Sequence, residues 1–148
     1  MPSGLFDKIF AGRKVLVLDG AMGTMLADRG WQLPALPEEM NLTNSDVVAD
    51  IHRQYLKSGA DIVETNSFGS NPIKLSYRGL EGMTEKINEK AARIARRIAD
   101  EFGAYVAGSM GPLGELVEPL GRLTFEEAYE SYKKQALGLK SGGVDFFL

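Results

Sequence analysis

The chain has 148 residues, 44% hydrophobic and 25% charged, enough to enclose a core of its own. Its net charge of −3, with no arginine–lysine cluster, supplies no basic field for nucleic acid. No apolar run approaches the ~18–20 residues that cross a bilayer and no signal-peptide core opens the chain; the absence of cysteine excludes disulfides and thiolate metal ligands among these residues and suits a reducing cytoplasm.

Residues 4–11 read as a short amphipathic leader helix. The run Val15-Leu16-Val17-Leu18-Asp19-Gly20-Ala21-Met22-Gly23-Thr24 follows, four apolar residues leading into an acid and a glycine-spaced turn. A parallel strand covered on both faces reads this way, because it need not alternate. A Pro- and Gly-rich loop over 30–44 is long for a connection, so it is functional or folded over the end of the sheet. Trp31 within it is a lid or a cover for the barrel floor. Asn44 then caps a helix whose inward face is Val47, Val48, Ile51 and Tyr55 and which Gly59 ends. Residues 61–68 form a second strand. Thr84 caps a helix with Ile87, Ala91, Ile94, Ala95 and Ile98 on one stripe and its arginines toward solvent. Gly103 stops it before a third strand beginning at Tyr105. Thr124-Phe125-Glu126-Glu127 is a capping box that opens a helix running to Gly142-Gly143, and 144–148 start a fourth strand.

Helix–Gly–strand junctions at Gly59, Gly103 and Gly143 imply repeated βα units, hence an α/β fold with parallel strands and helices outside. Two architectures satisfy this, an open doubly wound sheet and a (β/α)₈ barrel. A barrel takes about 250 residues and eight strands, so four strands would be its first half. The apolar, uncapped Phe146-Phe147-Leu148 favours the half-barrel, with residues 1–148 as one N-terminal half-domain and two open strand edges able to self-associate. The strands end in polar, glycine-bearing loops after Leu18, Val63 and Ala107. Three such ends on one rim suggest a binding site.

Five ordered pieces carry a family resemblance: Leu18-Asp19-Gly20-Ala21-Met22-Gly23-Thr24; Asn41-Leu42-Thr43; Gly59-Ala60-Asp61-Ile62-Val63-Glu64-Thr65-Asn66-Ser67-Phe68-Gly69; Gly108-Ser109-Met110-Gly111-Pro112; and Gly143-Val144-Asp145-Phe146-Phe147-Leu148. From Lys14 onward the chain resembles the homocysteine S-methyltransferase family, most strongly its cobalamin-dependent members. The resemblance implies methyl transfer to homocysteine giving methionine, on a (β/α)₈ barrel whose second half binds zinc through three cysteines. The zinc holds the homocysteine sulfur as the thiolate that attacks a methyl group. Those cysteines, and a glutamate that holds the substrate's amino group, match positions beyond Leu148. Methyltetrahydrofolate as donor, relayed by cobalamin, would sit on other modules. Relatives using betaine or methylmethionine would share the same homocysteine half.

Asp19 caps a turn or grips the substrate ammonium; the second is favoured, since an ionised carboxylate at a strand end is costly without a cation. The amides of Gly20, Ala21 and Gly23 serve the tight turn or cradle a carboxylate. Thr65, Asn66 and Ser67 bond local backbone, or line the pocket with Thr65 near the substrate carboxylate, as the family pattern implies. Ser109 is a further pocket residue, and Glu64 belongs to a polar layer or pairs with a lysine. His52, beside Arg53, reads as a solvated surface residue. Two functions compete: part of a homocysteine methyltransferase, inactive on its own because nothing here generates the thiolate, and a non-catalytic half-barrel that binds or assembles.

Overall fold

The computed structural model describes residues 15–148, so the expected leader helix at 4–11 lies outside the described residues. The frame is α/β, with a parallel sheet in the order β1 (Ile62–Glu64), β2 (Tyr105–Gly108), β3 (Phe146–Phe147). Val63 is in register with Val106, and Ala107 with Phe146. Helices α1 (Gly23–Ala27), α2 (Met40–Thr43) and α3 (Ser45–Lys57) precede β1. Helices α4 (Pro72–Ser76) and α5 (Thr84–Phe102) join β1 to β2, and α6 (Phe125–Gly142) joins β2 to β3. Helical crossovers of this kind are what parallel neighbours require.

Among the described residues three strands stand where four were expected, because the first segment contributes only a bridge from Leu18 to Ile62. The cause is local. The Val17 N–H donates to the Asp61 carboxylate (3.0 Å), and the Glu64 N–H donates to both oxygens of Asp19 (3.1 Å each). Two side chains occupy bonds that backbone carbonyls would make in a ladder, while the Asp19 N–H still reaches the Ile62 carbonyl at 3.0 Å. The segment lies parallel to β1 without forming a regular strand. The second and fourth strands are also shorter than 61–68 and 144–148: after Glu64 the chain turns into the rim loop, and 144–145 are still leaving the helix before Phe146.

The main core gathers Val48, Ile51 and Leu56 of α3, Val63, Val106, and Ile94, Ala95 and Ile98 of α5. Trp31 packs against this cluster and donates its indole N–H to the Ala35 carbonyl (3.0 Å), so it braces the long loop. The α5 and α6 helices approach closely: a Cβ on Gly138 would meet the Glu85 carbonyl at 2.5 Å, and one on Gly142 the Ala92 side chain at 2.3 Å. Capping follows the sequence in part. Thr124 and Glu127 form the reciprocal box. Asn44 precedes α3 without a side-chain cap bond, and Thr84 donates its hydroxyl to the Glu81 carbonyl instead of accepting an amide. Among the described residues no helix is long and apolar enough to cross a membrane.

His52 overturns the surface expectation. It is fully buried, and neither ring nitrogen has a hydrogen-bond partner among the described residues. On α3 it stands four residues from both Val48 and Leu56, so helical spacing puts it on the apolar stripe whatever its polar neighbours. Burial pulls its pKa down to about 4. The unfolded chain, with an ordinary imidazole near 6.5, binds the proton more readily. The stability tied to neutral His52 is therefore complete above the unfolded value and is lost as the pH falls toward the folded one. Replacing His52 with leucine should remove roughly 2–4 kcal/mol of acid-side destabilisation between neutrality and the folded pKa. Urea unfolding of both proteins at several pH values checks this; parallel pH curves would place the ring in contact with water.

Candidate functional site

The C-terminal ends of the strands converge on a cavity of about 450 Å³. Asp19, Gly20, Ala21, Thr65, Asn66 and Ser109, all singled out from the sequence, line it. So do Glu64 and Ser67, together with Glu38, Pro37 and Phe68, which sequence reasoning passed over. An acid in a Pro-rich loop reads as solvated, and no local signal marks Glu38 as buried. Trp31 and His52 do not line this cavity.

Local chemistry decides which groups are free to act. The Thr65 hydroxyl accepts the Ser109 N–H (2.9 Å) and lies 2.6 Å from the Ser67 hydroxyl. Ser67 donates to the Ser109 carbonyl (2.8 Å), which can only accept, so the proton between the two hydroxyls comes from Thr65. A closed ring of hydrogen bonds results, and neither hydroxyl has a hydrogen left for a ligand. Ser109 donates its own hydroxyl to Glu64 (2.8 Å), which is the partner of Glu64 in place of a lysine. The Asn66 amide donates to the Pro37 carbonyl (2.9 Å) and to Asn41 (3.2 Å). These polar side chains knit the rim loops together across 25–45 residues of sequence, where local backbone was the expected partner of Thr65, Asn66 and Ser67.

The unspent groups lie on the first loop. The amides of Gly20, Ala21 and Met22 donate no hydrogen bond among the described residues. Tyr55 secures this turn by donating to the Ala21 carbonyl (2.7 Å) and packing where a Gly20 side chain would project. Asp19 sits beside these amides, its pKa raised to about 7 by burial; the Glu64 N–H opposes the rise and the Glu64 charge adds to it. Glu38 is also raised by burial, with the Gly69 N–H and the nearby Lys74 working against the shift. Among the described residues no lysine or arginine lines the cavity. One rim therefore presents desolvated carboxylates next to open N–H donors.

Among the described residues no group of three or more His, Cys, Asp or Glu side chains could hold a metal ion, and the sequence has no cysteine. This donor set does not fit the three-thiolate zinc site that the resemblance implies.

Comparison with known proteins now defines the class. The model of the family described as homocysteine S-methyltransferase matches residues 16–148, so the chain belongs to that family. It is 41% identical to methionine synthase of Mycobacterium tuberculosis and 39% identical to that of Mycobacterium leprae, in each case over 92% of this chain and 12% of the relative. The chain thus spans about an eighth of the length of these curated relatives. The metallated and oxidized forms of the homocysteine methyltransferase MmuM from Escherichia coli share the fold. Their TM-scores are 0.81 and 0.80 at 24% and 25% identity, over 95% and 97% of this chain and 55% and 53% of theirs.

Asp19 carries a measurable consequence. Its folded pKa, about 7, lies above the ordinary 3.8, so the folded state holds the proton more tightly and loses stability as the pH rises across that interval. An asparagine keeps an acceptor for the Glu64 N–H without the buried charge. D19N should therefore be more stable than wild type at pH 8 by about 1–3 kcal/mol, discounted because the group retains some water contact. The gap should shrink as the pH is lowered toward the ordinary carboxylate value. Chemical denaturation at the two extremes tests this, and a D19N that is equally destabilised at both would give Asp19 a purely structural role.

Proposed function

We propose that this chain is the homocysteine-binding first half of a (β/α)₈ barrel in a methionine-synthase-type methyltransferase. The observation that carries the reading is the juxtaposition of the Asp19 carboxylate with the free amides of Gly20, Ala21 and Met22 in one cavity. An α-amino acid presents the complementary pair, an ammonium and a carboxylate on one carbon. Asp19 and Glu64 take the ammonium, and the Gly20–Met22 amides take the carboxylate. Family membership and the methionine synthase relatives support homocysteine as that amino acid.

In this reading the chain's residues supply grip and orientation. Binding an ammonium draws Asp19 into its ionised form, so at neutral pH homocysteine displaces a proton from the cavity. Thr65, Asn66, Ser67 and Ser109 hold the rim in shape, with their side-chain hydrogens already committed. The sulfur, at the far end of the substrate, is left to be ionised elsewhere. A free thiol is only a few per cent thiolate near neutrality, and this chain offers no cysteine cluster to change that. Zinc ligands and the modules bearing cobalamin and methyltetrahydrofolate then belong to other parts of the protein.

Calorimetric titration of the chain with homocysteine tests the zwitterion reading. Analogues lacking the amino group (4-mercaptobutyrate) or the carboxylate (3-mercaptopropylamine) should each bind about tenfold more weakly or worse, the effect of losing one charge-assisted contact. Homocysteine binding should strengthen from pH 6 to pH 8 and release protons to the buffer. Equal affinity for 4-mercaptobutyrate and homocysteine would overturn the assignment of Asp19.

A further inference from the structure

Glu38 is a buried carboxylate, 4% exposed, in the short 3₁₀ turn Pro37–Glu39 on one wall of the cavity. It accepts the backbone N–H of Gly69, from a loop 31 residues away. Among the described residues no arginine or lysine pairs with it, and the Lys74 ammonium, whose charge favours the ionised form, lies 5.3 Å over the Phe68 ring. A buried carboxylate held only by backbone amides contributes little to stability, since desolvation offsets much of the bonds. What it does is geometric. Around it the Pro37 carbonyl and Asn41 accept from Asn66, Asn41 donates back to the Asn66 carbonyl (2.7 Å), and Arg78 binds Glu39 (3.0 Å). Pro37 and Glu38 of the first segment and Asn66, Ser67 and Phe68 of the second are adjoining parts of the cavity wall. Gly69 is glycine for a matching reason: a Cβ there would lie 2.8 Å from the Glu38 carboxylate.

We propose that Glu38 is a positioning residue that fastens the 37–41 segment onto the 66–69 loop through Gly69 and so holds Pro37 and Asn66–Phe68 together as one wall of the amino-acid cavity. The role rests on homocysteine binding as proposed above. It also has a consequence independent of any ligand: with the fastening cut, the two segments exchange amide hydrogens faster.

The full chain is compared as wild type, E38A, E38Q and G69A by homocysteine calorimetry, thermal unfolding and site-resolved hydrogen exchange. E38A and G69A should weaken homocysteine binding about tenfold or more, the scale of one charge-assisted hydrogen bond. E38Q, whose side-chain carbonyl still accepts from Gly69, should bind within about threefold of wild type. Exchange at 37–41 and 66–70 should accelerate in E38A and G69A and stay near wild type in E38Q. Wild-type affinity in E38A, or an E38Q as weak as E38A, overturns the positioning role; if E38A does not fold, E38Q and G69A carry the comparison. Should wild type fail to bind homocysteine, the functional reading fails, and unchanged exchange in E38A or G69A would still overturn the fastening.

Discussion

The Asp19 carboxylate accepts the Glu64 N–H on both oxygens, and much of the rim follows from that contact. It ends the pairing of the first segment with β1, because the amide that would continue a ladder is already taken. It holds the Gly20–Met22 turn against the rim with its amides unspent. And it takes a charge partly out of water, raising the pKa to about 7. The group that terminates the strand also, in the proposed reading, accepts the ligand's cation once it ionises as the pH rises. One side chain thereby links local folding to the chemistry of the cavity.

Two buried titratable groups tilt the pH dependence of stability in opposite directions. His52 resists protonation in the core, so its contribution grows with pH up to the unfolded imidazole value. Asp19 resists ionisation at the rim, so its contribution falls over an overlapping interval. The two partly cancel below neutrality, and a flat stability profile would conceal both. Only the Asp19 term is open to relief by a ligand, since His52 lies in the core away from the cavity. A bound ammonium that offsets the cost at Asp19 raises stability above neutrality, where the empty cavity is most strained electrostatically.

What was legible in the sequence was legible for local reasons. The Thr124–Glu127 box closes within one helical turn, so both partners are visible in four residues. The strand ends at Asp19, Thr65 and Ser109 are marked by the switch from apolar to polar and glycine. The failures are contacts that close over long separations. The first strand was misread because Asp61 and Asp19, about 45 residues from their partners, supply the bonds that backbone would make. His52 was misread because its polar neighbours in sequence lie on another face of α3. Glu38 gave no signal, since what buries it is a glycine 31 residues away. Thr65 and Ser67 line the cavity, but their hydroxyls are engaged by Ser109, more than 40 residues on, which no local pattern announces.

That last point bears on what the cavity can select. With the hydroxyls of Thr65, Ser67 and Ser109 committed to one another or to Glu64, recognition falls to formal charge and to backbone amides. A ligand that is only an anion gains the open amides but meets Asp19 and Glu64 beside them. A ligand that is only a cation satisfies the acids and leaves the amides to water. The zwitterion alone matches both, and in the proposed reading the match is made by groups at the α-carbon, away from the sulfur. On that proposal the cavity grips the end common to amino acids and leaves the reactive end to other residues. Such a division fits a chain that spans only part of the proteins it matches and has no cysteine of its own.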